Sequence, residues 1–321
     1  MNNVFIRIIG NMKWNIYSKL WMIFFVLMGA ACTNQVEDAI PVSGQSIEFS
    51  VQSDWKEIPN TRLNSGKPQL KPGDTIQIFG FHTSFPGGVE KVQKFMYRVG
   101  EPARGQKVVL ADDGKTWNYS PKRFWPKEGT LVFYAGYPEY SVLYKEDKMT
   151  YEQPDFNPLG LDLLWGVSTG YNCANGRKDV EITMKHALAK VNISFSGFSD
   201  EIGSVIVLGY KTGWFPRKIE GGIPEWHVDD KTNNIDAVFY KYKDQIINNS
   251  VTVFILPDKI TGLQAWNVKG DKKIADASEE LQQPQYTFEA GKEYNLKISK
   301  GVQKKNTNSR SIAMSVRCVS E

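Results

Sequence analysis

The chain has 321 residues and a mass of 36.4 kDa, with 41% hydrophobic, 23% charged and 12% aromatic residues. This is globular composition, long enough for two ordinary domains and unlike a disordered or coiled-coil chain. The formal charge of +4 sits at the ends. Arg7, Lys13 and Lys19 give residues 1–31 a charge of +3. Lys304, Lys305, Arg310 and Arg317 against Glu321 give residues 301–321 another +3, which leaves −2 on residues 32–300. A body without a basic field argues against nucleic acid as a partner. Three cysteines without a Cys-x-x-Cys exclude a disulfide-dense scaffold and a cysteine-rich zinc site.

The amino end reads as an address. Leu20–Ala31 is a short apolar run after a basic stretch ending at Lys19, closing on small residues before Cys32. A bilayer span needs about 20 apolar residues, so residues 1–31 are expected to be a signal peptide rather than an anchor helix. Met12 offers an alternative start. Small residues directly before Cys32 resemble a bacterial lipobox, with Gly29 where a leucine is usual. Acylation of Cys32 (palmitate in such lipoproteins) would then hold the protein on the outer membrane, each buried CH₂ contributing about 0.8 kcal/mol. Gln35-Val-Glu-Asp38 resembles a surface-export signal, and is equally readable as the start of a solvated linker. Residues 32–45 read as a tether.

From Ile47 onward the pattern is period two or short apolar runs between Gly, Pro and Asp turns. Strands are expected over Ile47–Val51, Thr75–Phe81 after the Pro72-Gly-Asp74 turn, Lys107–Leu110 before Asp112-Asp-Gly114, and Leu131–Ala135. Val180/Ile182/Met184 and Val191/Ile193/Phe195 alternate, and the series continues through Ser204–Tyr210, Ser250–Leu256, Tyr286–Phe288 and Tyr294–Ile298. Helical pattern is scarce, with a turn or two expected at Pro158–Trp165. This is an all-β chain built from β-sandwiches. The run Val180–Phe195 has no turn signal and reads as one domain's last strand passing into the next domain's first. The expected parts are 46–185 and 186–300, followed by the tail 301–321.

Certain residues carry a family resemblance. Trp117-Asn-Tyr119, Phe124-Trp-Pro126 and Leu131-Val-Phe-Tyr-Ala135 through Pro138 resemble a run found in fimbrillins, the lipoprotein subunits of type V pili. So do His186-Ala-Leu-Ala-Lys-Val191, Phe288-Glu-Ala-Gly-Lys-Glu-Tyr294, and Ile47–Val51 followed by Thr61-Arg62. The resemblance implies two transthyretin-like β-sandwich domains in tandem, and a cell-surface fimbrium supporting adhesion. Each motif also serves a fold. Clustered Trp117, Tyr119, Phe124 and Trp125 are expected in the core rather than as a sugar platform, Gly291 in a turn with positive φ, and His186 as a satisfied structural residue.

The resemblance further implies a mechanism. A protease cuts after an arginine in the loop following the first strand, here Arg62, which removes the lipidated end and the first strand. A strand from the next subunit then fills the exposed groove. The expected partners are other pilus subunits, paralogous or identical. The tail supplies a donor: Ile312, Met314, Val316 and Cys318 fall on one face, after a polar spacer over 301–309. An ordinary edge strand of the second domain is the competing reading. Cys173 and Cys318 are open to a disulfide, within or between chains, or to remaining thiols.

An enzyme is not expected, since the sequence has neither a His-Glu-x-x-His pattern nor a phosphate-binding glycine loop, and His82, His186 and His227 are scattered. No cofactor or metal is expected. The acidic run Asp229–Asp236 lacks the ligand order of a calcium loop and reads as a hairpin loop. The alternative function is a surface lipoprotein adhesin, or a pilus tip or anchor that does not polymerise. It would bind a host or microbial surface glycan or protein through Trp214, Trp226 or Trp266.

Overall fold

In the computed structural model the described residues are 40, 42–53, 70–152, 162–174, 179–217, 224–228, 237–242, 246, 248–300 and 314–320; for 237–242 and 314–320 only the backbone is described. Contacts group the chain into Met1–Pro41 and Val42–Glu321, and all that follows concerns the second unit. Among the described residues, helix is limited to the single turn Ser278–Leu281 and the 3₁₀ turns Pro86–Gly88 and Pro284–Tyr286.

The first half supplies β1 (Val42–Ser46), β2 (Phe49–Ser53), β3 (Thr75–Ser84), β4 (Lys91–Met96), β5 (Gln106–Leu110) and β6 (Trp117–Asn118). It continues with β7 (Phe124–Pro126), β8 (Thr130–Tyr137), β9 (Val142–Lys145), β10 (Lys148–Glu152), β11 (Leu164–Asn172) and β12 (Val180–His186). The large sheet runs in the order β2-β12-β11-β8-β3-β5-β6, with β4 added to β3. Its centre is β3, buried over Ile76–His82, which is why Thr75–Phe81 reads as a continuous apolar run instead of an alternation. Gly166 in β11 is needed for close approach: a Cβ there would lie 2.6 Å from Ile182 Cγ2 and 2.9 Å from the Thr183 carbonyl.

The chain leaves this sheet at Ala187–Leu188. It continues as β13 (Ala189–Ser196), β14 (Ile202–Gly209), β15 (Thr212–Pro216), β16 (His227–Val228), β17 (Ala237–Tyr242) and β18 (Ser250–Ile255). The last strands are β19 (Gly262–Asn267), β20 (Lys273–Asp276), β21 (Glu293–Lys300) and β22 (Met314–Ser320). Two four-stranded sheets result, β18-β13-β21-β22 and β17-β14-β19-β20. The alternating residues of β13, β14, β18, β19 and β21 point into one shared core, with Val191, Ile193, Val205, Val207, Val253, Leu263 and Leu296 all essentially inaccessible. That is a β-sandwich.

One feature joins the two parts. β15 and β16 lie in a sheet with the first half's β9 and β10, ordered β16-β15-β10-β9. Beneath it is a second core that draws Phe79, Tyr134, Met149 and Trp165 from the first half and Leu188, Tyr210, Phe215 and Leu256 from the second.

Several expectations are corrected. Strand structure begins at Val42, inside the stretch read as tether, because β1 takes its pairing from β7. Leu164 and Trp165 open β11 and are not helical; 158–161 lie outside the described residues. Tyr286 closes a 3₁₀ turn begun by Pro284, and Phe288 makes only an isolated bridge with Asp258. Phe124 is 38% exposed, unlike the buried Trp117, Tyr119 and Trp125.

Candidate functional site: a two-edged slot for the first strand

The first strand does not sit in the middle of a sheet. It bridges two edges. β1 pairs antiparallel with β7, with Val42 opposite Pro126 and Ser46 opposite Phe124. Two residues later the same chain pairs parallel with β12, from Phe49 opposite Val180 to Ser53 opposite Met184. The changeover falls at Ile47–Glu48: Ile47 N–H donates to the Arg123 carbonyl at 2.9 Å, and Val180 N–H donates to the Glu48 carbonyl at 2.8 Å. Segment 42–53 therefore closes the seam between two sheet edges.

Side chains reinforce the changeover. Ile47 is fully buried and Phe49 nearly so. The Phe49 ring meets Tyr119 and Phe133 edge-on, at centroid separations of 5.6 and 5.5 Å. The Tyr119 hydroxyl donates to the Ile47 carbonyl at 2.7 Å and accepts the Arg123 N–H at 3.3 Å. Burial pushes this phenol up to about 12. At the rim, Lys122 Nζ lies 3.2 Å from both Glu48 carboxylate oxygens and 4.6 Å from the Tyr119 ring centroid.

Behind the slot, β12 has limited backbone support. It pairs with β11 only at Lys185 and His186. Further along, side chains take over: Glu181 N–H donates to the Tyr171 hydroxyl at 3.1 Å, and the Ser168 hydroxyl donates to the Glu181 carbonyl at 2.5 Å. Removing 42–53 would uncover the sites where Ile47 and Phe49 are buried and the backbone groups of β7 and β12 that pair with the segment. Unpaired buried backbone groups are strongly disfavoured, so such an edge favours addition of a strand.

Ser168 belongs to Gly166-Val-Ser-Thr-Gly170, which fits the Gly-x-Ser-x-Gly nucleophile pattern. Here the serine lies inside β11, buried and bonded to Tyr171 and Glu181, with no strand-to-helix elbow to expose it. Among the described residues no cluster of His, Cys, Asp and Glu could hold a metal, and no helix is long and apolar enough to cross a membrane.

The tail is placed by its backbone. β22 is the terminal strand of its sheet, antiparallel to β21 with Met314 opposite Lys300, Val316 opposite Ile298 and Cys318 opposite Leu296. Cys32, Arg62, Ile312 and the acidic run 229–236 lie outside the described residues. Cys173 is buried just past β11. The remaining motif residues serve the fold. His186 Nδ1 bonds the buried Asp162 carboxylate. Gly291 has φ +69°, and its N–H donates to the Leu188 carbonyl.

Two of the tryptophans named for ligand contact, Trp226 and Trp214, are engaged. Trp226 Nε1–H donates to the Ala187 carbonyl at 2.6 Å, and its ring packs on Phe215 and Tyr151. Trp214 stacks on His227 at 4.2 Å, with Lys148 Nζ 4.1 Å from its centroid. Trp266 is half-buried in β19. The residue sequence reasoning overlooked is Lys122, whose partner Glu48 is remote in the chain.

Comparison with known proteins gives one family match, a model described as fimbrillin-like that covers residues 61–313. No curated protein matches the sequence. Among solved structures, a Bacteroides uniformis protein assigned to cell adhesion is similar at TM-score 0.50 and 15% identity, covering 89% of this chain and 99% of that one. The fimbrial anchor protein Mfa2 of Porphyromonas gingivalis is similar at TM-score 0.42 and 10% identity, over 86% and 98%. A fimbrial assembly protein of Parabacteroides distasonis is similar at TM-score 0.36 and 12% identity, over 86% and 99%. At these identities the likeness is one of fold.

Proposed function

The chain belongs to the fimbrillin-like family, and we propose that it is a structural subunit of a cell-surface pilus, exported as a lipoprotein through Cys32 and assembled by strand exchange after cleavage near Arg62. The observation that carries this reading is the two-edged seating of segment 42–53. It reaches β7 and β12 through hydrogen bonds and packing, and residues 54–69, which include Arg62, follow it directly. A cut there would leave the strand held only by contacts that an incoming strand can reproduce. The family is one of fimbrial structural proteins, which supports a scaffold role over a catalytic one. The tail, with Met314, Val316 and Cys318 in an edge strand, is the donor in this reading, and the partners are other pilus subunits.

The test is processing. Arg-specific proteolysis of the purified protein should yield a mature start at Leu63 and fibres by electron microscopy. Arg62→Ala should stay lipidated and unassembled, and deletion of 310–321 should leave a folded monomer. Normal fibres from either variant would overturn the mechanism.

A further inference from the structure

The hairpin between β3 and β4 ends in a tip that the fold does not use. Its residues Phe85–Val92 form the longest exposed run among the described residues. Phe85 is 60% exposed, Val89 69% and Val92 40%. The tip closes on its own backbone: Gly88 N–H donates to the Phe85 carbonyl at 3.1 Å and Val89 N–H to the Pro86 carbonyl at 3.2 Å, with Gly87 and Gly88 at positive φ. Pro86, Gly87 and Gly88 suffice for that shape. The phenylalanine and the two valines add nothing to it and meet water, which marks a surface for a partner. Charge at this place cancels, Glu90 against Lys91 in the tip and Lys127 against Glu128 in the neighbouring turn.

The position of the tip says what that partner is. His82 Nε2–H donates to the Glu128 carbonyl at 2.8 Å, and Thr83 pairs with Thr130, so the turn 127–129 lies beside the base of the hairpin. β7 runs straight into this turn, and Val42 pairs with Pro126 at the end of β7. The chain therefore enters the second unit at the hairpin's end of the large sheet, through Val42, itself 45% exposed. It leaves for the second half at the other end: His186 lies opposite Leu164, and Leu164 opposite Tyr137, at the far end of β8 from Thr130.

We propose that the β3–β4 hairpin tip is a membrane-docking element, and that Phe85, Val89 and Val92 enter the lipid surface to which the uncleaved chain is tethered. This placement rests on the lipoprotein reading and adds to it a second contact and an orientation. Cys32 stands ten residues before Val42, a reach of at most about 35 Å, and the tether arrives at the end of the sheet that carries the apolar tip. Three apolar side chains do not hold a soluble domain on a bilayer by themselves. A tether raises the effective concentration of the surface, so a contact too weak to form from solution becomes occupied. Because the local charge cancels, docking works by apolar insertion and takes no help from anionic headgroups. With the tip and Val42 at the membrane, the second half points away from it, towards other subunits.

The experiment uses the full chain, expressed with its own amino end and reconstituted into vesicles of phosphatidylethanolamine and phosphatidylglycerol. Mass spectrometry of the amino-terminal peptide reads acylation of Cys32. Val89→Cys and Val268→Cys, each in a Cys318→Ser background, carry a nitrobenzoxadiazole label; Cys173 is buried, and Val268 is an exposed site in the second half. The label at residue 89 should shift to the blue and be quenched by lipids with a nitroxide on the acyl chain. The label at residue 268 should do neither. Phe85→Ser with Val92→Ser should lower the ratio of embedded to free label at residue 89 about tenfold, as expected for removing two partly inserted apolar side chains. The urea midpoint of that variant should not move, since both side chains face solvent. Added salt should leave the signal unchanged. The proposal is overturned if the label at residue 89 stays in water on the acylated protein, if both labels are quenched alike, if the double variant embeds as well as its parent, or if salt releases the tip. A blue shift that appears without vesicles and fades on dilution would assign the tip to a protein partner and overturns it too. A chain without acyl groups on Cys32 removes the lipoprotein reading itself, and the peptide mass tells that failure from the others.

Discussion

The Tyr119 hydroxyl donates to the Ile47 carbonyl at 2.7 Å. This single bond ties the lip of the slot to the first strand at the point where the strand passes from one sheet edge to the other. Tyr119 also accepts the Arg123 N–H, and Arg123 accepts the Ile47 N–H through its carbonyl, so the three groups form a closed ring of bonds around the seam.

Tyr119→Phe keeps the ring that packs on Phe49 and removes only the hydroxyl. The Ile47 carbonyl loses this donor, at a cost of about 1–2 kcal/mol. Hydrogen exchange should speed up at the Ile47 and Val180 amides by roughly tenfold, while amides in the β13–β21 pair keep their protection. Equal acceleration in both places would mean that the bond supports the whole fold rather than the seam.

The same phenol gives the seam an alkaline limit. Its pKa rises from the usual 10 to about 12 because burial disfavours the phenolate. The folded state therefore holds the proton more tightly than the unfolded one. The stabilisation is complete below pH 10, falls as pH rises through the interval from 10 to 12, and is gone above it. Burial also raises Tyr134, Tyr144 and Tyr151, so the diagnostic quantity is a difference. The stability gap between wild type and Tyr119→Phe, measured by urea titration, should be flat from pH 6 to 9 and close above pH 10.

Glu48 and Lys122 form an exposed pair, so reversing one charge should loosen the strand by only about 0.2–1 kcal/mol. Glu48→Lys and Lys122→Glu should each raise the rate of proteolytic removal of residues 42–53, and the double reversal should restore it. Added salt should shrink both single-variant differences. Additive losses in the double variant would show that the two side chains do not act on each other.

How much of this was legible beforehand follows from what each residue reports. The β3, β12 and β13 runs were readable because their apolar pattern is their burial pattern. β1 was not: Val-Ser-Gly-Gln-Ser carries no apolar face and is a strand only because β7 supplies its partner. β15, Thr-Gly-Trp-Phe-Pro, reads as a loop by its glycine and proline, yet pairing with β10 in the first half makes it a strand. The slot was half visible. Ile47–Val51 announces a strand, but its two edges come from Phe124–Pro126 and Val180–Met184, and such distant pairing leaves no mark in local periodicity.

That clasp can be tested at Arg217, which follows β15 and lies almost fully buried in the first half's hairpin. Its Nε donates to Asp147 Oδ1 at 2.5 Å, its backbone N–H donates to the Asp147 carbonyl, and its guanidinium lies 4.7 Å from the Phe81 ring centroid. Its charge also acts on the Tyr134 and Tyr144 phenols, opposing the rise that burial gives them. A planar guanidinium can bond Asp147 and lie over the Phe81 ring at once, and an ammonium cannot match both. Arg217→Ala should cost about 2–4 kcal/mol through lost packing on Phe81 and the lost bond to Asp147. Arg217→Lys should recover less than half of that. Asp147→Asn should cost about 1 kcal/mol, since this carboxylate is 62% exposed and asparagine tolerates its positive φ. Chemical denaturation of the full chain measures all three. Lysine matching wild type would mean that charge alone, and not the shape of the guanidinium, fastens β15 to the β9–β10 hairpin.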